Sequence, residues 1–289
     1  MRDQYNFLNV LGVGSFGTTW KAQDKITGKF VAIKIFLDNA MIDWEHEKQM
    51  IASLSKECTP YAVCVIDSFV EDSTPYLVME FVNGKTVGQI LRKNQKRPDG
   101  LKLLKDLVEG IKIFHSHSLV HEDVKDDNIM YDDDMQLFRY IDFGLSCVKK
   151  SNTLDLAARN FPCGTYGTSY IASPVFERKR MQKAIVPWSL LESHDYWCIG
   201  LVVLRWYYHP KNYVPSYTRW VGKKPTAEFI EDTKLNTSYP IYRLLDHRYV
   251  KSIIKRIRNQ KVRRCLFLLL NYDDYKRAED FNKVLKILG

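Results

Sequence analysis

The chain has no apolar run long enough to cross a bilayer: Leu266 to Leu270 falls far short of the ~20 residues that a spanning helix needs. Its six cysteines, at 58, 64, 147, 163, 198 and 265, form no CxxC pair and no metal-ligand spacing. That excludes a zinc finger. No signal peptide opens the sequence, so free thiols in a reducing, intracellular compartment are expected, cytoplasmic first and nuclear also compatible. Internal repeats and low-complexity segments are absent. The net charge of +9 permits loose association with nucleic acid or acidic surfaces, yet no RNA-binding signature or basic helix accompanies it, so no specific nucleic-acid partner is expected.

What is present is concentrated in two acidic signatures. His121-Glu122-Asp123-Val124-Lys125-Asp126-Asp127-Asn128 is followed by Asp142-Phe143-Gly144. Leu104, Leu107, Val108, Ile111 and Phe114 precede them at helical spacing, which predicts a helix that packs one face into the core and delivers His121 to a loop. Between the signatures, Ile129 to Tyr131 and Leu137 to Ile141 read as two short strands around a solvated turn at Asp132-Asp133-Asp134. The two signatures resemble the catalytic and metal-binding loops of the protein kinase family. By that resemblance Asp123 orients a substrate hydroxyl, Lys125 stabilises the transferring phosphoryl oxygens, and Asn128 and Asp142 hold Mg²⁺, or Mn²⁺, against the phosphates of ATP.

The N-terminal third matches the same family. Leu11-Gly12-Val13-Gly14-Ser15-Phe16-Gly17 carries the G-x-G-x-x-G pattern, whose glycines let a backbone hairpin approach phosphates. A dinucleotide fold would open a helix at these glycines. Here Thr18 to Ala22 and Phe30 to Ile35 read as strands instead, and Val31-Ala32-Ile33-Lys34 matches the strand that carries the kinase phosphate-binding lysine. From Asp43 to Ser55, Trp44, Glu47, Ile51 and Leu54 share one helical face. Glu47 therefore points inward, where an unpaired carboxylate is costly, and Lys34 is its expected partner.

The resemblance extends over nearly the whole chain and implies a bilobal α+β kinase domain over 1–289. Its N-terminal lobe, 1–82, is a small antiparallel sheet with one main helix, and its C-terminal lobe, 83–289, is mainly helical. Leu11, Gly12, Gly14, Ser15, Phe16 and Gly17 would cover the nucleotide, with Thr19 in the roof of the adenine slot and Met130 in its floor. Ala32 would contact adenine, Met79 would be the gatekeeper, and Glu80 and Val82 would bind adenine through their backbones. Asp195, opening a buried helix, would brace the catalytic-loop backbone. Lys125 and Thr168 resemble a Ser/Thr-specific enzyme, so the expected partner is a protein with a serine or threonine acceptor.

Three departures from the family pattern stand out. Glu122 occupies the place of an arginine that grips a phosphorylated activation segment; it implies activity without such phosphorylation, with Lys149, Lys150 or Arg159 as its partner, or a solvated side chain of no regulatory meaning. Ser173-Pro174-Val175 replaces an Ala-Pro-Glu triplet, so Arg277 needs another partner, for which Glu177 is the candidate. Arg178-Lys179-Arg180 and Lys183 read either as a docking cluster for an acidic or polyanionic partner or as a soluble loop. The expected activity is ATP-dependent serine/threonine phosphotransfer. The alternatives are a pseudokinase scaffold, against which Lys34, Asp123, Asn128 and Asp142 all stand, and a small-molecule phosphotransferase of related fold. The stretch from 211 to 248 matches the family poorly.

Overall fold

The computed structural model describes residues 1–54, 58–93, 97–149, 163–164, 171–208 and 247–289. A five-stranded antiparallel sheet in the order β1-β2-β3-β5-β4 forms the N-terminal part, from β1 (Tyr5–Gly14), β2 (Gly17–Asp24), β3 (Phe30–Phe36), β4 (Val65–Glu71) and β5 (Thr74–Glu80). Strand alternation sorts its side chains. Val31, Ile33, Tyr76 and Val78 join Tyr5, Ala22 and Phe69 in an outer cluster. Phe36, Leu77 and Met79 face the other way, into the main core with α1 (Met41–Ser53). Lys34 shares their side of β3 and so points at the helix.

The β1–β2 turn is tight enough to need glycine at its end. A Cβ on Gly17 would lie 2.1 Å from the Ile35 carbonyl oxygen. At Gly12, in contrast, a Cβ would meet nothing within 4 Å.

The rest is predominantly helical, with eight α-helices in all among the described residues. α2 (Val87–Lys93) and α3 (Gly100–Ser116) come first, and α4 (Pro174–Met181), α5 (Trp188–Tyr208), α6 (His247–Lys255), α7 (Gln260–Leu269) and α8 (Asp274–Leu288) follow the loops. Leu104, Leu107, Val108, Ile111 and Phe114 of α3 are fully buried, as their spacing predicts, and the Asp99 side chain caps the helix by accepting the Leu101 N–H at 3.2 Å. α5 is buried nearly all round, including Asp195, Tyr196 and Trp197. It therefore forms the centre of this part rather than one wall of it.

Short strands carry the loops of interest: β6 (Gly84–Thr86), β8 (Ile129–Asp132) and β9 (Leu137–Tyr140) form one sheet, and β7 (Leu119–Val120) pairs with β10 (Cys147–Val148). Among the described residues no helix is long and apolar enough to cross a membrane.

Several expectations are corrected. Asp132 is not a solvated turn residue: it is 4% exposed, pairs with Arg139 at 2.9 Å and accepts the Asp134 and Met135 N–H groups. Arg178 to Arg180 lie on α4, where Arg180 pairs with Glu177 at 2.7 Å, and the buried helix containing Asp195 begins at Trp188. Glu177 is thus not the partner of Arg277, which pairs with Asp274 at 3.0 Å and donates to the Ser193 carbonyl at 2.8 Å. Four cysteines are bonded rather than free, as Cys58–Cys64 and Cys147–Cys163; Cys198 and Cys265 are buried thiols. Chain folding, not sequence spacing, brings these pairs together.

Candidate active site

The site is assembled from both parts of the chain. Thr19 stands opposite Lys34 on β2, and Ala32 stands opposite Met79 on β5. Met130 is half-buried against the main core, and Val82 is buried where the chain leaves β5. From β3, Lys34 Nζ donates to Glu47 Oε2 at 2.6 Å, and the Glu47 side chain is only 2% exposed. Asp142 Oδ1 lies 3.9 Å from the same ammonium and accepts the Gly144 N–H at 3.0 Å. Burial pushes the Asp142 carboxyl up, but Lys34 and the Gly144 N–H outweigh this and hold it below the ordinary carboxylate range, with Lys125 adding to the effect. It is therefore a carboxylate at neutral pH, with a side chain 42% exposed.

The catalytic-loop residues converge on one another. Lys125 Nζ donates to Asp123 Oδ2 at 2.6 Å; Asn128 Nδ2 donates to that oxygen at 2.9 Å and to the Asp123 carbonyl at 3.0 Å. The Ile141 N–H donates to the Asn128 carbonyl at 3.1 Å, which ties this loop to the strand leading to Asp142. Asp195 holds the backbone from below: its carboxylate accepts the His121 N–H at 2.8 Å and the Glu122 N–H at 2.9 Å, and lies 2.9 Å from His115 Nε2. The hydrogen bond to His115 keeps Asp195 ionised despite burial. The His121 ring sits between Phe114, Tyr140 and Phe143, and burial holds its imidazole below the usual value. It is a neutral packing residue.

Thr168 lies outside the described residues, as do Lys150 and Arg159. Of the other sequence-predicted residues, contacts bring together Lys34, Glu47 and Asp142 in one group and Asp123, Lys125 and Asn128 in another.

Glu122 is neither solvated nor paired with Lys149. Its backbone is in the left-handed region at φ 61°, and its carboxylate accepts the Gly164 N–H, 2.9 and 3.1 Å from the two oxygens. A non-glycine residue there costs roughly 1–3 kcal/mol, which the Asp195 and Gly164 bonds offset. Burial, with the Asp195 charge adding, pushes the Glu122 carboxyl well above the carboxylate range. A carboxyl more easily protonated folded than unfolded contributes stability that is complete below about pH 4.5, its ordinary value, and is lost as pH rises through the folded-state value. Glu122→Gln keeps an acceptor for Gly164 and removes the proton. Thermal melts of both proteins from pH 5 to 8 are expected to diverge in favour of the variant as pH rises, and a pH-independent difference would refute this.

Two contributors escaped the sequence reading. Arg139 donates to both Glu80 oxygens at 2.7 and 2.6 Å, to Asp132 at 2.9 Å and to the Ala62 carbonyl at 2.8 Å, so it pins the end of β5 to the β8–β9 hairpin. Asp274 accepts the Ser173 hydroxyl at 2.5 Å and the Phe176 N–H at 3.2 Å. The Ser-Pro segment is thereby docked on α8 without the missing glutamate.

Sheet, buried helix and the two acidic loops define the bilobal kinase-like fold. A family model described as the protein kinase domain matches residues 5–279, and the chain belongs to that family. Curated relatives agree. The chain is 34% identical over 152 residues to a probable serine/threonine-protein kinase of Dictyostelium discoideum, covering 50% of this chain and 32% of that protein. It is 31% identical over 197 residues to the calcium/calmodulin-dependent protein kinase type 1 of Caenorhabditis elegans, covering 66% and 54%. It is 26% identical over 279 residues to the CBL-interacting serine/threonine-protein kinase 13 of Arabidopsis thaliana, covering 89% and 53%. The matched parts thus span from 32% to 54% of these relatives' lengths.

Proposed function

We propose that this chain transfers the γ-phosphate of ATP to a serine or threonine of a protein, and does so without phosphorylation of its own activation segment. The observation that carries the reading is a pair of contact groups, Asp123 with Lys125 and Asn128, and Lys34 with Glu47 and Asp142, joined through the Ile141 N–H bond to the Asn128 carbonyl. Phosphoryl transfer asks a protein chiefly for alignment and charge neutralisation, and these side chains supply both.

Asp123 orients the acceptor hydroxyl and takes its proton. Lys125, held on Asp123 at 2.6 Å, places its positive charge beside the transferring oxygens. Lys34, fixed by Glu47, binds the α- and β-phosphates. The hairpin from Gly12 to Gly17 lies over the triphosphate, and the open space at Gly12 leaves its backbone accessible to an anion. Leu11, Thr19, Ala32, Met79, Met130 and the backbone of Glu80 and Val82 form the adenine slot.

Asn128 and the half-exposed, ionised Asp142 offer the oxygen donors a hard divalent cation prefers, Mg²⁺ first and Mn²⁺ by the same chemistry. That ion, when bound, neutralises phosphate charge. Thr168 has the family role of contacting Asp123 and Lys125. Arg178 and Lys183, both exposed, supply positive charge for an acidic partner.

Independence from segment phosphorylation is supported by Glu122. A carboxyl bonded to Gly164 cannot grip a phosphate. Incubation with γ-labelled Mg-ATP and a protein substrate is expected to give phosphoserine and phosphothreonine, at a rate that prior phosphatase treatment leaves unchanged. Loss of transfer after phosphatase would overturn the independence. ATP binding without any transfer would leave only a nucleotide-binding scaffold.

A further inference from the structure

Strand β10, just after the Asp142-Phe143-Gly144 turn, pairs with the strand that leads into the catalytic loop, with Cys147 opposite Val120. Cys163 is 16 residues further on, its Cα 5.8 Å from that of Cys147 and its sulfur bonded to it. Both are buried, in a small apolar cluster with Val120, Ala172, Phe176 and Leu190. Glu122 faces them. One carboxylate oxygen and the two sulfurs lie within 4.8 Å of one another. The next residue, Gly164, donates its N–H to that carboxylate, with φ +81° and no room for a side chain, since a Cβ would sit 2.9 Å from Val186. The tether and the hydrogen bond therefore hold two successive residues against the loop that carries Asp123.

A disulfide carries no charge and no thiol proton in need of an acceptor, so it suits this apolar cluster beside the buried Glu122 carboxyl. We propose that Cys147–Cys163 is a redox modification site whose oxidation fixes the return of the activation segment on the catalytic loop, the task a phosphate performs where an arginine stands in place of Glu122. The effect on rate rests on the kinase reading; the bond does not.

A peroxide is the oxidant. One thiolate attacks a peroxide oxygen, the S–O bond forms as the O–O bond breaks, and the oxygen released leaves as water. The second sulfur then displaces the sulfenic oxygen, which departs as water with the thiol proton. Each sulfur loses one electron and the peroxide gains two. A dithiol reductant reverses the step, giving two thiols and its own disulfide.

The test uses the full chain, reduced with dithiothreitol or oxidised with hydrogen peroxide. Non-reducing digestion and mass spectrometry of the oxidised protein are expected to give a Cys147–Cys163 linked peptide, and hydrogen exchange at the Gly164 amide is expected to slow on oxidation. The rate of phosphate transfer should rise ~5-fold or more. Cys163→Ser and Cys147→Ser should each stay at the reduced rate, insensitive to peroxide, whereas Cys58→Ser, which removes only the other bond, should still respond. Alkylation of both cysteines in peroxide-treated folded protein would overturn the proposal, as would one equivalent of tightly bound zinc per chain, or unchanged Gly164 exchange. A linked, protected protein that transfers no phosphate in either state would instead count against the kinase reading and leave the modification site standing.

Discussion

Asp123→Ala is expected to lower turnover by about 10²- to 10⁴-fold, the loss that follows removal of a positioned general base. ATP affinity should move far less, because the phosphate-binding role proposed for Lys34 rests on its pairing with Glu47 rather than on Asp123. The side chain is only 6% exposed and is the common acceptor of half-buried Lys125 and buried Asn128, so truncation also takes an oxygen from two donors. Asp123→Asn separates the two effects: it keeps an acceptor in place and should lose about as much turnover. Labelled-phosphate transfer and equilibrium ATP binding, measured on both variants, decide the matter. Either variant turning over at the native rate would remove Asp123 from the chemistry and take the reaction with it.

Arg139→Met should destabilise the fold by about 3–5 kcal/mol, the usual consequence of removing one partner from a buried ion pair. Arg139 is 2% exposed and answers two carboxylates and a carbonyl at once. Methionine fills much of the same volume, so packing is largely kept while Glu80 and Asp132 lose their cation. Glu80 is a third exposed and can turn to water; Asp132, at 5%, cannot. The Asp132 side therefore dominates the loss. Thermal melts should show a fall of roughly 10 °C for a chain of this size, and restoring charge balance with Asp132→Asn in the same chain should recover part of it. A fall of only a degree or two would mean that the network contributes no more than a surface pair.

The parts of this molecule legible in its sequence are those in which local periodicity and a costly burial coincide. Glu47 shows this. Helical phase put it on the apolar face of α1, an unpaired carboxylate there is unfavourable, and Lys34 proved to be 2.6 Å away. The α3 stripe and the alternation on β3 were readable for the same reason. Asp195 was legible from the resemblance to its family, and its two backbone bonds put it under the catalytic loop.

What was hidden depends on contacts between distant segments. Arg139 lies 59 residues from Glu80, and no pattern along the chain marks either. The Asp132-Asp133-Asp134 run looked like one solvated turn, yet strand alternation turns its first member inward to Arg139. Arg178 to Arg180 were too polar to betray α4, whose apolar anchors are few. Cysteines 6 and 16 residues apart carry no geometric information until β10 and the segment's return are placed. Arg277 found Asp274 three residues away on its own helix, while the sequence pointed to Glu177.

That last pairing reaches beyond stability. Asp274 opens the final helix, and its carboxylate holds the Ser173 hydroxyl and the Phe176 N–H while its carbonyl accepts the Ser193 hydroxyl. The first residue of α8 is thus a three-way joint: a single aspartate fastens the entry to α4 and, at Ser193, the helix that carries Asp195.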